Sequence, residues 1–275
     1  MREEAERVAI KIGYLGTNYH GFQIQPQAEL QTVEGELFKA LKRLDVLKDR
    51  KGANYSYAGR TDKGVHALAQ VVSFDTLNQN MTPRMINSML PNDIWALAIA
   101  KPHAGFNARK EAIRREYRYF LFLQTELDIS RMREASELLI GAHDFSNFSQ
   151  RDGLEGKSLI KEIKQVDIVK SDPFIIMDIA ASGFLRKMVR EIVSALSMVG
   201  SGKRAKSWIQ DLLDLKIKEQ IEPAPAFALV LKDVSYHELE FVVDEYAKRR
   251  ITARLKKGLL FHATMAEVLS DMIDI

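Results

Sequence analysis

The chain has 275 residues, with 40 Lys and Arg, 37 Asp and Glu, six His and no Cys. The absence of Cys excludes disulfides, zinc ribbons, thiolate catalysis and cysteine-bound iron–sulfur clusters, and it is compatible with a reducing compartment. The hydrophobic fraction of 46% and charged fraction of 28% are typical of a globular protein. No signal peptide is visible, and the longest apolar run, Ile94 to Ala100, is too short to span a membrane. We therefore expect a cytoplasmic protein with no membrane association.

Strand and helix signals alternate along the first part of the chain. Apolar residues alternate between Val8 and Tyr14 and predict a strand. Thr32 occupies an N-cap position before apolar residues at helical spacing, which continue to Leu44. The next predicted elements are two strands around a polar turn, a short helix and a further strand, at 55–58, 68–74, 83–90 and 94–100.

A similar order of elements returns from about residue 106. The predicted strands are 117–123, 163–169, 174–180 and, as the last strand, 227–231. The predicted helices are 131–140 with Gly141 as C-cap, 184–199 closing at Gly200, 208–215, and a charged tail helix, 237–257. The inner stripe predicted for this tail helix is Phe241, Val242, Tyr246, Ile251 and Leu255. Interleaved elements with hairpin-length links favour an α+β fold with a largely antiparallel sheet, in two similar halves, 1–104 and 105–275.

Charge is unevenly distributed. Residues 101–118 hold six basic and two acidic residues, residues 186–206 hold six and one, and residues 248–257 hold six and none. Residues 233–245 hold five acidic residues and no Lys or Arg, which hides the basic runs in the net charge of +3. Basic runs beside aromatic residues suit RNA, although a single run of this kind is usually a solvated surface.

Two familiar kinds of site are poorly supported. Residues 153–158 end like a phosphate-binding P-loop, but Arg151 stands where the first Gly of that motif is needed, so a plain loop is the better interpretation. The six His are dispersed, with no His-x-x-x-His pair and no Asp-rich calcium loop. The sequence therefore predicts neither a nucleotide site nor a metal site.

The densest group of polar residues is the segment Gly59 to Ala67, between two predicted strands. It places Arg60, Asp62, Lys63 and His66 within seven residues. By composition alone this is an ordinary turn, since Asp and Gly favour turns.

This segment, continuing to Phe74, resembles the signature of the tRNA pseudouridine synthase A (TruA) family. Other stretches resemble the same family in the same order, namely 14–25, 32–35, 106–109, 114–119, 141–148 and 184–190. The chain departs from the family pattern at Leu15, usually Asp, at Phe22, often Trp, and at Ala228, usually Gly. The resemblance runs from about residue 8 to 236 and leaves the basic tail helix without a role.

The resemblance implies an enzyme that isomerises uridine to pseudouridine at positions 38 to 40, in the anticodon arm of tRNA. Such a reaction needs no redox cofactor, metal or nucleotide. By matching position, Asp62 is the expected nucleophile, and Arg190 is expected to pair with it and favour its charged form. Tyr117 is expected to pack on the target base, and its hydroxyl to help proton transfer at C5. Attack of Asp62 on the sugar and assisted elimination through a glycal both stay open.

Further expectations follow from the same resemblance. Arg60 is a candidate to fill the gap left by a flipped nucleotide or to hold a phosphate, and Lys63, His66 and Arg109 are candidates for RNA contacts. His66 is equally suited to a structural role in the turn. The implied fold has two α+β halves whose sheets join into one, with the active cleft between them, usually in a homodimer. The alternatives are a non-catalytic RNA-binding protein on the same scaffold, in which Asp62 would be dispensable, and a P-loop-type nucleotide enzyme.

Overall fold

The computed structural model describes residues 5–26, 30–123, 125–150 and 158–273. Within these ranges the chain forms ten β-strands and six α-helices. The strands are β1 (Glu6–Tyr14), β2 (Ser56–Tyr57), β3 (His66–Thr76), β4 (Ile94–Ala100), β5 (Ala112–Phe122), β6 (Gly141–Asp144), β7 (Ile160–Ser171), β8 (Phe174–Ala181), β9 (Leu229–Tyr236) and β10 (Val242–Val243). The helices are α1 (Val33–Arg43), α2 (Pro83–Asn87), α3 (Ile129–Glu137), α4 (Met188–Gly200), α5 (Lys206–Leu213) and α6 (Glu245–Ile273).

These ten strands form one sheet. Nine of them follow the order β10-β4-β1-β3-β9-β5-β8-β7-β6, and β2 pairs with β3 beside this path. Among the described strands, β3 and β9 form a parallel pair, with His66 opposite Val230, and the other pairs are antiparallel. Strand β9 thereby joins the sheet of the first half to that of the second. The predicted α+β class, with largely antiparallel sheets joined into one, is confirmed.

Side chains also cross between the two parts of the sheet. Arg7 of β1 donates from Nε to the carbonyl of Phe106 at 2.8 Å and forms an ion pair with Asp75 at 3.0 Å. Lys11 Nζ lies 3.1 Å from Asp233 Oδ1 on β9. One cluster of buried apolar side chains includes residues from both parts, so the two parts of the sheet share a core.

Two predicted helix ends involve a glycine, and the one at Gly141 is wrong. Gly141, predicted as the C-cap of a helix to residue 140, instead opens β6 with a φ of +103°, because α3 has already ended. Gly200, predicted to follow its helix, is the last residue of α4. A Cβ on Gly200 would lie 2.6 Å from Met132 Cγ, so this glycine allows α4 and α3 to pack closely.

The predicted starts of two elements are also wrong. Phe184, predicted to open α4, precedes that helix, which begins after Lys187 in the left-handed conformation with a φ of 63°. Phe227, predicted to open the last strand, lies in a short 3-10 turn, and the strand β9 begins two residues later.

The tail differs most from its prediction. Instead of one helix over 237–257, β10 pairs with β4 at the far edge of the sheet, and α6 then runs from 245 to 273. Of the predicted inner stripe, Ile251 is buried and Leu255 packs against it, whereas Tyr246 is exposed and Phe241 and Val242 precede the helix. The two-residue strand is too short to leave a clear period in the sequence.

Candidate active site

The loop between β2 and β3 carries Asp62, and buried polar groups hold its backbone. The buried side chain of Gln70 accepts from Gly59 N at 3.2 Å and donates to the Gly59 carbonyl at 2.5 Å. Thr61 Oγ1 lies 2.8 Å from a buried tyrosine hydroxyl of β1. Gly64 has a φ of +82°, a region that glycine enters without steric cost. The loop therefore presents Asp62 from a fixed backbone.

Asp62 forms an ion pair with Arg190, in the first turn of α4, with 3.3 Å between Oδ2 and Nη1. The Asp62 side chain is 26% exposed and the Arg190 side chain 13% exposed, so the carboxylate is accessible while its cation is largely shielded. Arg190 is fixed in turn, because its Nε donates to the Ala224 carbonyl and Ala224 N donates to the Arg190 carbonyl. These contacts hold the guanidinium beside the Asp62 carboxylate.

Tyr117 of β5 is buried beside the same loop. Its ring packs edge-on against Phe184, with 5.2 Å between ring centroids and 88° between ring planes. A Cβ on Gly59 would lie 3.9 Å from the Tyr117 hydroxyl. Burial raises the pKa of Tyr117, and the charge of Asp62 raises it further, so the hydroxyl keeps its proton at neutral pH. The structure thus brings Asp62, Tyr117 and Arg190 together from three distant segments.

Three of the predicted RNA-contact residues are exposed cations. Arg60 donates from Nε to the Tyr57 hydroxyl at 3.1 Å, which holds its side chain on the loop that carries Asp62. Lys63 follows Asp62 directly, and Arg109 lies in the connection between β4 and β5. These side chains are available to an anionic ligand.

His66 has a different environment, because both of its ring nitrogens contact backbone groups. Its Nδ1 accepts from Gly16 N at 3.1 Å, so Nε2 carries the proton and donates to the Phe227 carbonyl at 2.9 Å. Burial lowers the pKa of His66 and keeps the ring neutral. A Cβ on Gly16 would overlap the Val65 carbonyl at 1.9 Å, so glycine is needed for this close approach. His66 therefore ties the loop of Asp62 to two neighbouring segments.

Arg115 supports the site, although the sequence analysis predicted no role for it. Its buried guanidinium donates to the Ala58 carbonyl from Nε at 3.0 Å and from Nη2 at 2.9 Å, and it reaches three further carbonyls, those of Arg109, Ala112 and Ser182. It thus holds the start of the Asp62 loop against β5. The sequence does indicate that Arg115 is buried, because strand alternation places it on the same inward face as Tyr117 and Tyr119.

Glu191 is a second residue for which the sequence analysis predicted no role. It follows Arg190 directly on α4 and is 3% exposed. Burial raises its pKa to about 7, the charges of Asp62 and Glu222 raise it too, and Lys187 and Arg190 oppose the rise. Its spacing of three residues from Met188 already indicates an inward position. A buried acid that titrates near neutrality therefore lies behind the ion pair.

Among the residues that the structure describes, no group of three or more His, Cys, Asp or Glu is arranged to hold a metal ion. Within the same residues, no helix is long and apolar enough to cross a membrane. The P-loop-like segment lies outside the described residues except for Ser158.

A family model described as tRNA pseudouridine synthase matches residues 10–104 and 135–237. The chain belongs to this family. It is similar to tRNA pseudouridine synthase A of Methanosarcina barkeri, with 48% identity over 97% of this chain and 98% of the relative. The corresponding protein of Archaeoglobus fulgidus is 43% identical and covers 96% of each chain. The resemblance seen in the sequence is confirmed, and the tRNA pseudouridine synthase family is one of RNA-modifying isomerases.

Proposed function

We propose that this chain converts uridine to pseudouridine at positions 38 to 40, in the anticodon stem-loop of tRNA, with Asp62 as the nucleophile. The observation that carries the proposal is the ion pair of Asp62 and Arg190 beside Tyr117, in a chain of this family. The proposal includes a cytoplasmic location, where tRNA is found.

The reaction rearranges bonds within one nucleotide. The bond between N1 of uracil and C1′ of ribose breaks, the base turns, and C5 bonds to the same C1′. C5 then loses its proton and N1 gains one, so no atom or electron is added overall. An ionised carboxylate suits this chemistry, because it can attack a glycosidic carbon or stabilise positive charge that develops there.

Arg190 positions Asp62 for either route. Its Nη1 contacts Oδ2 of Asp62, which leaves Oδ1 for the ribose. Because Nε of Arg190 donates to the Ala224 carbonyl, the guanidinium stays in place when the substrate binds. The Asp62 carboxylate therefore keeps its orientation.

Tyr117 would hold the target base. A base inside a helical stem or stacked loop is inaccessible, so it must be turned out of its stack and bound against an aromatic ring. Phe184 packs edge-on against the Tyr117 ring and fixes its orientation, so the uracil would meet an aromatic ring that is already positioned. The raised pKa of Tyr117 keeps its hydroxyl protonated, so it would relay the C5 proton by accepting it at the oxygen while passing on its own proton, and not as a phenolate base.

Exposed cations around Asp62 suit the RNA backbone. Arg60, Lys63 and Arg109 can contact phosphates, which fix the register of the RNA without reading its sequence. In this proposal His66 contributes by holding the loop, because both of its nitrogens are engaged within the protein.

The test uses purified protein and an unmodified tRNA transcript, with pseudouridine mapped at each position. We expect the wild type to modify positions 38 to 40 with a metal chelator present. Asp62→Asn should bind the transcript with unchanged Kd and form no pseudouridine, whereas Asp211→Asn, on the distant helix α5, should retain full activity. Transcripts in which uridines 38, 39 and 40 are replaced one at a time identify the modified positions.

Other results would change the assignment. An active Asp62→Asn protein would overturn the mechanism. A wild type that binds tRNA and forms no pseudouridine would instead support a non-catalytic RNA-binding protein. Modification outside the anticodon arm would retain the enzyme and refute the proposed positions.

A further inference from the structure

The first part of helix α6 is anchored on the sheet through one of its faces. Ala247 and Ile251 pack onto Trp95 of β4, and all three residues are buried. One turn further along α6, Arg254 donates from Nη1 to the carbonyl of Asn92 at 2.7 Å. These contacts fix the first part of α6 against β4 and the turn that precedes it.

This anchored part lies at the end of the sheet that carries the Asp62 loop. Strand β4 begins opposite Tyr14, the last residue of β1, and Tyr14 also pairs with Ala67 near the start of β3. The loop of Asp62 leads directly into β3. Because β3 and β4 are the two neighbours of β1, they are about 10 Å apart, at ~4.8 Å between adjacent strands.

Hydrogen bonds connect the turn before β4 to the Asp62 loop. Asp93 accepts from Leu15 N at 2.8 Å and from the Tyr19 hydroxyl at 2.6 Å. The Tyr19 carbonyl in turn accepts from Gly64 N at 3.4 Å, two residues after Asp62. The turn that contacts α6 and the loop that carries the candidate nucleophile are therefore held in a fixed relation.

The side of α6 that faces away from the sheet is cationic. Four exposed cations lie within an arc of about 120° on the helix, at ~3.6 residues per turn, and we call them the cationic face: Arg249, Arg250, Lys256 and Lys257. They form two rows, and the two members of each row are about 10 Å apart, at ~1.5 Å per residue. Among the residues that the structure describes, no acidic side chain pairs with any of the four.

Charge favours a polyanion as the partner of this face. Residues 248–257 hold six basic residues and no acidic one. Lys and Arg side chains bind the phosphates of nucleic acids with release of counterions. A helix that lies on a membrane surface needs a free apolar face beside its cations, whereas here Ala247 and Ile251 are already buried against Trp95. The observations therefore favour RNA over a lipid surface.

We propose that the cationic face of α6 binds phosphates of the same tRNA whose target uridine reaches Asp62. This inference rests on the proposed function, and it adds a surface outside the region matched by the family model, which ends at residue 237. Phosphate contacts position an RNA without reading its sequence. The face thus contributes affinity and orientation for the tRNA, while the chemistry stays at Asp62.

Fluorescence anisotropy of the full chain with an unmodified tRNA transcript, at several salt concentrations, tests the proposal. The paired substitution Arg249→Ala with Arg250→Ala should raise the Kd about tenfold. The slope of log affinity against log salt should become shallower by about 2, one for each lost phosphate contact. Arg249→Lys with Arg250→Lys keeps both charges and should bind with nearly the wild-type Kd.

The matched control removes two adjacent exposed cations from another helix. Lys42→Ala with Arg43→Ala, in the last turn of α1, changes the net charge equally and should leave the Kd unchanged. An equal loss of affinity in this control would show that net charge alone sets the Kd and would overturn the proposal. An unchanged Kd and salt slope for the Arg249 and Arg250 alanine pair would also overturn it.

Two further outcomes separate this inference from its neighbours. If the alanine pair lost binding to phosphatidylserine vesicles and kept its tRNA affinity, the cationic face would be a membrane surface and the proposal would be wrong. The anisotropy measurement needs no conversion of uridine. A wild type that binds through this face and forms no pseudouridine would therefore refute the proposed function and leave the RNA-binding surface of α6 supported.

Discussion

Replacing Glu191 by Gln should make the protein more stable at alkaline pH. The wild-type carboxyl has a pKa of about 7 in the fold, against an ordinary value of 4.5. The folded state therefore holds this proton more tightly, and stability falls as pH rises from about 4.5 to about 7. At ~1.4 kcal/mol per pH unit, the ionised carboxylate costs about 3 kcal/mol above pH 7. Glutamine, which does not ionise, avoids this cost.

Thermal unfolding of both proteins at pH 5 and pH 8 measures the effect. An unfolding entropy of ~2.1 cal/mol/K per residue converts about 3 kcal/mol into a Tm that is roughly 5 °C higher for Glu191→Gln at pH 8. The difference should shrink to about 1–2 °C at pH 5, where the carboxyl is mostly protonated in the fold. Glu137→Gln, on the exposed surface of α3, serves as the control and should show no such pH dependence. A Tm difference between wild type and Glu191→Gln that is the same at both pH values would refute this reasoning.

Three further predictions concern the supports of the site and fold. Arg115→Met should lower the free energy of unfolding by at least ~3 kcal/mol in a urea titration, because it removes donors to four buried or partly buried carbonyls, whereas Arg114→Met should cost less. Tyr117→Phe keeps the ring and loses the hydroxyl, so the single-turnover rate should fall roughly a hundredfold with tRNA Kd unchanged; an equal rate would exclude a proton relay. Thr32→Ala removes the N-cap of α1, where Oγ1 accepts from Gly35 N, and should cost about 1 kcal/mol in the same urea titration, unlike the exposed Thr252→Ala.

The sequence predicted most elements because their signals are local. Alternation marked β1, and Thr32 marked the start of α1, where the structure has them. Glycine was less reliable as a marker of helix ends. Gly200 permits the contact of α4 with Met132, which depends on a residue distant in sequence and leaves no local signal.

The residues of the candidate site also divide into those that the sequence predicts and those that only tertiary contacts reveal. The segment around Asp62 is visible in the sequence because its residue types are concentrated, and the resemblance selected Tyr117 and Arg190. Arg115 and Glu191 were missed because their importance comes from burial, and charged residues within a strand or helix usually face water.

The sequence by itself determined the fold class, the family and the segment that carries Asp62. It also excluded cysteine chemistry. Only the tertiary structure decided that Arg190 lies 3.3 Å from Asp62, that both nitrogens of His66 are engaged, and that β10 returns the chain to β4. The physical reason is that secondary structure follows from neighbours within a few residues. Ion pairs, buried charges and strand partners depend on contacts between distant segments, which form only when the whole sheet assembles.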